Sequence, residues 1–155
     1  MDPEEPRRQE SASNRLLFEF FNEVGIISQL SSALLNKSLP EGLHVAHFSL
    51  LNHMVRLGDG KTPQQLVSAF QVTKSTMTHS LQVLEERGFI RLQPHPDDGR
   101  SKLVFLTARG RSFREEAIAA LGPRFEELRR YLDLAAISEM IEPLRQLRKR
   151  LDENR

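Results

Sequence analysis

Short polar side chains follow one another between Thr73 and Gln82, and their chemistry suits contact with a polyanion. Serine and threonine hydroxyls can donate hydrogen bonds to phosphates or base edges, Gln82 can pair with adenine, and Lys74 can reach a guanine or a phosphate. In a helix, the amino-terminal end would add free N–H groups for a phosphate. A solvated helix face explains the same residues equally well when they are considered alone. The candidate contacts are Thr73, Lys74, Ser75, Thr76, Thr78, His79 and Gln82, together with Thr62 further along the chain towards the N-terminus.

A second group of candidates lies in the segment Pro94–Gly99 and just after it. Two prolines, two aspartates and a glycine indicate a turn, so Arg100 lies near the tip of a predicted hairpin. An arginine there can enter a narrow A·T-rich minor groove, and Asp98 can hold its guanidinium through a carboxylate pair. The alternative is an exposed ion pair that only shapes the turn, and both roles can coexist. Arg91 and Lys102 are the flanking cations of this group.

The histidines form a third group, because His44, His47 and His53 lie on or near one predicted helix. The spacing of His44 and His47 places both imidazoles on one helical face and is compatible with zinc. Two histidines alone are a weak indication of a metal. A hydrogen-bonded pair, or a pair that lines an organic-ligand pocket together with Phe48, is the better interpretation. We therefore predict no metal site and no cofactor.

The charge distribution points to the middle of the chain as the part that meets a polyanion. Residues 61–110 carry 7 basic and 4 acidic side chains, whereas residues 1–60 carry 5 basic and 8 acidic ones. A local excess of positive charge attracts nucleic acid, although many solvated surfaces are equally basic.

The composition also excludes several classes of protein. The chain has no cysteine, which excludes disulfides, thiolate metal sites and cysteine-based redox sensing. No apolar run approaches the roughly 18–20 residues that span a bilayer, and the polar segment 1–13 has no apolar core of a signal peptide. We expect a disordered leader over 1–13, a cytoplasmic protein and no membrane partner.

Enzyme motifs are absent from the sequence, so we predict that the chain is not an enzyme. It has no glycine-rich phosphate loop, no GxSxG and no HExxH. The adjacent acidic pairs Glu85–Glu86 and Glu115–Glu116 lie on predicted helices, where neighbouring side chains diverge by about 100° and cannot converge on one substrate.

The elements around the polar stretch predict a winged helix. Thr62, with Pro63 at the first helical position and Gln65 three residues after the cap, indicates a capped helix start. After a short break, Thr73 caps the next helix, and Gly88 suits the position just beyond its end. A hairpin follows, so the order of elements is α–α–α–α–β–β–α–α. A helix-turn-helix followed directly by a β-hairpin is a winged helix.

Long amphipathic helices flank this core and predict a dimer. The core spans 43–107, and apolar residues recur at helical spacing in 14–38 and 111–152, with a kink expected at Pro143. Packing between two chains would cover these faces. The predicted fold is mainly α with a small β-hairpin: a single winged helix-turn-helix domain over 14–155 with long N- and C-terminal dimerisation helices.

The segment Thr62–Thr107 resembles the winged-helix core of the MarR family. The resemblance rests on LEERGFI at the end of the recognition helix, on Asp98-x-Arg100, and on LVFLTARG over 103–110. It implies a transcription regulator that binds a pseudo-palindromic operator as an obligate homodimer and usually represses nearby genes. It also implies recognition residues at 74–79, a wing contact at Arg100 and, in many members, release by a small aromatic effector. The absence of cysteine sets this chain apart from the thiol-oxidation sensors of that family.

Two other interpretations remain open at this stage. A winged-helix dimer can dock on a protein through the same basic face without binding an operator. A small enzyme or ligand-storage protein would instead use a pocket between the flanking helices, 14–38 and 111–152, and the winged-helix core.

Overall fold

The fold is described from a computed structural model that covers the backbone of residues 4–154 and the side chains of residues 10–154. Helices predominate, and an antiparallel β-hairpin lies between the fourth and fifth of them. This arrangement confirms the predicted winged helix-turn-helix. The chain divides into two compact units, Met1–Ala117 and Ile118–Arg155, where the sequence predicts a single domain.

Helix α1 spans Glu4–Ser38. The prediction of a disordered leader over 1–13 is therefore wrong for residues 4–13, while residues 1–3 lie outside the described part of the chain. Glutamate, arginine and glutamine make up most of the segment 4–13 and have high helix propensity. Low hydropathy alone does not distinguish an exposed helix from a disordered segment.

Three helices, α2 (Val45–Leu57), α3 (Pro63–Phe70) and α4 (Lys74–Glu86), form the helix-turn-helix and its supporting layer. The capping box predicted at the start of α3 is present. The Gln65 N–H donates to the Thr62 hydroxyl over 3.2 Å, and the Thr62 N–H donates to the Gln65 side-chain oxygen over 2.8 Å.

The turn between α3 and α4 is short because the chain reverses at one residue. Gln71 adopts a left-handed conformation at φ 51° and ends α3. The carboxyl end of α4 is a Schellman motif, in which the Gly88 N–H donates to Glu85 O over 2.8 Å and the Phe89 N–H donates to Leu84 O over 2.9 Å. Gly88 therefore occupies the predicted position beyond the helix, with φ at 70°.

One apolar core joins α2, α3 and α4 to the hairpin and to the first turns of α5. Burial of these side chains is the main stabilising contribution to this unit. The core residues are Leu43, Leu50, Leu51, Met54, Leu66, Met77, Leu81, Leu84, Phe89, Ile90, Val104, Leu106, Phe113 and Ala117.

The wing consists of β1 (Ile90–Pro94) and β2 (Lys102–Leu106), with Leu92 opposite Val104. A further backbone pairing joins Lys61 to Val104: the Val104 N–H donates to Lys61 O, and the Gly60 N–H donates to Val104 O, each over 2.8 Å. This pairing is not predictable from the sequence, because a single bridge has no alternating pattern. It ties β2 to the residue that precedes the cap of α3.

Helix α5 spans Ala108–Ala119 and begins at a threonine cap. The Thr107 hydroxyl accepts from the Gly110 N–H over 3.0 Å and donates to Gly88 O over 2.7 Å. Gly110 lies so close to the chain that a Cβ added there would stand 2.1 Å from the backbone oxygen of Phe89. A glycine at this position therefore allows the close approach of α5 to the start of the wing.

The second unit contains α6 (Gly122–Arg129) and α7 (Leu134–Glu153). Asp133 caps α7 by accepting from the N–H groups of Ala135 and Ala136. None of the described residues of α6 and α7 is buried. Pro143 lies within α7, as the sequence predicts. Across the described residues, every helix is too short or too polar to cross a membrane.

Candidate nucleic-acid interface

Hydroxyl groups cluster at the amino-terminal end of α4. The Thr73 hydroxyl accepts from the Thr76 N–H over 3.1 Å, and it lies 3.0 Å from the Ser75 hydroxyl and 2.8 Å from the Thr76 hydroxyl. Thr73 has only one hydroxyl proton to donate within this cluster. At least one neighbouring hydroxyl must therefore donate to Thr73, and the cluster is partly occupied by its own hydrogen bonds.

The outer face of α4 carries the candidate recognition residues, and the inner face is buried. Lys74, Ser75, Thr76, Thr78, His79 and Gln82 are all exposed. The Thr78 hydroxyl donates to Lys74 O over 2.8 Å, so it is left as an acceptor. The Gln82 amide nitrogen donates to the Glu86 carboxylate over 3.0 Å, a contact that the sequence analysis did not consider.

A cleft of about 380 Å³ lies between the start of α3, the start of α4 and the wing. It brings together candidates that are distant in sequence, namely Lys74 and Thr78 from α4 with Arg100 and Lys102 from the wing. Gln64 also lines the cleft and is exposed. Gln64 is not among the candidates predicted from the sequence, although its place directly after Pro63 at the helix start is a usable signal.

The cations of this cleft are available to a ligand. Among the described residues, Lys74, Arg100 and Lys102 take part in none of the ion pairs. Unpaired positive charges that converge on one cleft attract anions more strongly than the modest net charge of the chain suggests. The cleft can accept a phosphate or a base edge.

The wing turn differs from the sequence expectation. The Asp98 carboxylate accepts from the backbone N–H of Arg100 over 3.0 Å and, within the described residues, forms no ion pair with the guanidinium. Asp98 O also accepts from the Ser101 N–H over 3.0 Å. An aspartate two residues before a free N–H readily closes such a local turn. The expected Asp98–Arg100 carboxylate pair is therefore wrong, and Asp98 shapes the turn while the guanidinium stays free.

Thr62 and Arg91 lie outside the lining of the cleft. The Thr62 hydroxyl is used in the capping box of α3. The Arg91 guanidinium lies over the ring of Phe105, 5.4 Å from its centroid, on the strand position directly opposite. Arg91 is exposed and cationic, but this ring contact gives it a structural role on the wing.

Comparison with known proteins connects this geometry to a family. A sequence model of the MarR family matches residues 41–101, which include the helix-turn-helix and most of the wing. The structure of a MarR mutant from E. coli is 26% identical, covers 81% of this chain and 93% of that chain, and superposes with a TM-score of 0.69. Over residues 41–101 the chain is similar to the MarR family. No match was found among curated protein sequences.

Further MarR structures show the same fold. That of the E. coli MarR mutant complexed with operator DNA is 25% identical, covers 84% of this chain and 94% of that chain, and has a TM-score of 0.65. A MarR-family transcriptional regulator from Rhodococcus sp. RHA1 has a TM-score of 0.70 at 22% identity, with 85% of this chain and 94% of that chain covered. The winged helix of this chain thus has the fold of these MarR structures.

The histidine pair of this chain lies at the start of α2, outside the lining of the cleft. The His44 N–H donates to Nδ1 of His47 over 3.0 Å, and the two rings stack with centroids 5.8 Å apart. His47 is buried at 5% exposure, His44 is exposed and Phe48 packs partly buried against the core. In the described residues no three histidine, aspartate or glutamate side chains are grouped to hold a metal.

The buried position of His47 changes its proton affinity. Burial lowers the pKa of His47 from its ordinary value of 6.5, and the nearby His44, His79 and Arg87 lower it further. The hydrogen bond from His44 also needs an unprotonated Nδ1 as its acceptor. The lowered pKa and this hydrogen bond both favour the neutral form of His47, with its proton on Nε2.

Proposed function

We propose that this chain is a MarR-family regulator, that it represses nearby genes by binding a pseudo-palindromic operator as a homodimer, and that a small-molecule effector releases it. The observation that carries the proposal is the cleft between α4 and the wing, where Lys74, Arg100 and Lys102 converge without ion-pair partners among the described residues. A recognition helix in the major groove and an arginine on the wing would read one half-site. Such a role fits a cytoplasmic protein that catalyses no reaction.

The exposed apolar residues of the terminal helices support a homodimer. On α1, the side chains of Leu16, Ile27 and Leu30 are exposed to 67%, 62% and 66%. On α7, Met140, Ile141 and Leu144 are also exposed. An apolar surface of this extent favours burial against a partner, and a second copy is the partner that a two-fold operator requires.

Two substitutions test the DNA interface. We expect Arg100→Ala and Lys74→Ala each to weaken binding to the DNA that flanks the chain's own gene, because each removes a cation from the cleft. The loss of a phosphate contact at Lys74 should also lower the slope of log affinity against log salt by about one. A salt-titrated gel shift measures both quantities.

Lys149→Ala is the charge-matched control, because Lys149 lies on α7 and pairs with Glu153. If both cleft variants bound DNA like the parent, the interface proposed here would be wrong. If the parent chain itself retarded no DNA at low salt, the protein-docking module would become the better interpretation of the basic face.

The effector is proposed on thermodynamic grounds. In the proposed homodimer, the two winged-helix cores can be arranged to fit the operator or not to fit it. A ligand can release the operator only if it binds the arrangement that does not fit more tightly than the arrangement that does. His44, His47 and Phe48 are the candidate pocket residues, and of these the buried His47 is the least accessible. We expect at least one member of a panel of aromatic acids to raise the melting temperature and to lower operator affinity. A flat response would exclude this class of effector.

A further inference from the structure

The carboxyl end of the recognition helix is joined to the loop that follows α1. The Arg87 guanidinium donates from Nη2 to the backbone oxygen of Glu41 over 2.6 Å. The two residues are 46 positions apart in sequence, so this is a tertiary contact and not part of a local turn. We name the pair Arg87 and the Glu41 carbonyl the clamp.

The backbone on both sides prepares the clamp. On α4, the Schellman motif at Gly88 fixes the direction in which Arg87 leaves the helix. On the loop, Gly42 has φ at 79°, and a Cβ added there would stand 2.9 Å from Nη2 of Arg87. A side chain at residue 42 would therefore crowd the guanidinium in the position from which it reaches the Glu41 carbonyl.

The loop itself is tightly attached to α1 and α2. Asn36, in the last turns of α1, accepts from the Val45 N–H at the start of α2 over 2.6 Å. The Leu43 N–H donates to Pro40 O over 3.1 Å, and the Leu43 side chain is buried in the core. The clamp consequently joins α4 to a hydrogen-bonded junction between α1 and α2.

We propose that Arg87 is a positioning residue for DNA recognition: it holds the recognition helix at a fixed orientation relative to the end of α1. The inference rests on the proposed function, in which α4 reads the operator and α1 belongs to the dimer interface. Arg87 need not touch DNA in this role. It sets how α4 is presented, and through α1 it links that presentation to the arrangement of the dimer.

We expect that breaking the clamp lowers the specificity of DNA binding and leaves the non-specific affinity unchanged. Non-specific binding depends on cations that face phosphates, and these remain in place when the clamp is broken. Base recognition requires side chains of α4 to meet base edges in register, and it depends on the orientation of the helix. The ratio of affinity for a specific duplex to affinity for a scrambled one is therefore the quantity that the clamp controls.

The test compares two ways of breaking the clamp. Arg87→Gln removes the cation, whereas Gly42→Ala leaves every charge in place and displaces the guanidinium with a methyl group. Gly58→Ala is the control for backbone strain, because Gly58 also has positive φ, at 85°, but a Cβ there meets nothing within 4 Å. The specific duplex is selected from a random library with the parent chain.

Both clamp variants should lower the specific-to-scrambled affinity ratio by roughly tenfold, as residues that couple two sites do. The salt slope should stay unchanged, and the double variant should lose no more than Arg87→Gln alone. The control Gly58→Ala should keep the parent ratio. Melting temperatures of all variants ensure that folded protein is compared.

Three results would overturn the proposed positioning role of Arg87. The first is an unchanged ratio in Arg87→Gln and Gly42→Ala. The second is a fall in salt slope by about one in Arg87→Gln with an equal loss on both duplexes, which would make Arg87 a phosphate contact. The third is an equal loss in Gly42→Ala and Gly58→Ala. A parent chain that selects no duplex sequence would instead overturn the proposed function, and the clamp with it.

Discussion

Single side chains in this protein take roles that their types alone leave open. Asp98 and Arg100 are the clearest case, because a carboxylate and a guanidinium two residues apart suggest an ion pair. The carboxylate accepts from the backbone N–H of Arg100 instead. The turn is thereby closed locally, and the guanidinium remains available to a groove of DNA.

His47 makes the stability of the winged-helix core dependent on pH. Because the pKa of His47 is lowered in the folded chain, the unfolded chain binds its proton first as the pH falls below about 6.5. We expect the melting temperature to fall between about pH 7.5 and pH 5.5, since this contribution is fully present only above the unfolded pKa.

His47→Asn should flatten this dependence, because the Asn side-chain oxygen can accept from the His44 N–H and does not titrate. Thermal melts over this pH range provide the measurement. An equally steep dependence in the parent and in His47→Asn would assign the effect to other groups.

At the scale of elements, the close approach of α5 to the wing makes Gly110 intolerant of a side chain. An added Cβ would overlap the Phe89 backbone oxygen, which cannot move without displacing the strand. We expect Gly110→Ala to lower the free energy of unfolding by about 1–3 kcal/mol, as overpacked core substitutions do. Denaturant unfolding measures this change.

Gly122→Ala is the matched control, because Gly122 is also helical and a Cβ there meets nothing within 4 Å. Its unfolding free energy should stay within about 0.5 kcal/mol of the parent. Equal stabilities of the parent and Gly110→Ala would mean that α5 can retreat from the wing at no cost.

The elements were also the most predictable part of the chain. The cap at Thr62, the cap at Thr73 and Gly88 at the end of α4 follow from local chemistry, and all three are present. The cleft and the clamp were not predictable in detail, because they join residues distant in sequence through the path of the backbone. The helical segment 4–13 was missed because its polarity fits both an exposed helix and a disordered leader.

At the scale of the whole molecule, the exposed apolar faces predict that the chain is stable only as an oligomer. Leu16 and Ile27 are three helical turns apart on one side of α1, and both are largely exposed. We expect the double substitution Leu16→Glu and Ile27→Glu to produce monomers. Dimerisation would then bury carboxylates in the apolar surface between the two chains. Sedimentation measures the mass, and the parent should show a melting temperature that rises with protein concentration.

Arg15→Glu provides the control, because it changes a polar position of the same helix. This variant should keep the mass of the parent. A monomeric parent chain at micromolar concentration would contradict the proposed homodimer.

The pairing of Lys61 with Val104 limits how an effector could act on this molecule. Two backbone hydrogen bonds join Val104, in the middle of β2, to Gly60 and Lys61, just before the cap of α3. The starts of α3 and α4 share the cleft with the wing tip. The wing is thus held to the start of α3, which lines the cleft together with α4. Moving the wing away from α3 would require breaking these two hydrogen bonds. The proposed effector would therefore change the distance between the two winged helices of the proposed homodimer, and each winged helix would stay intact.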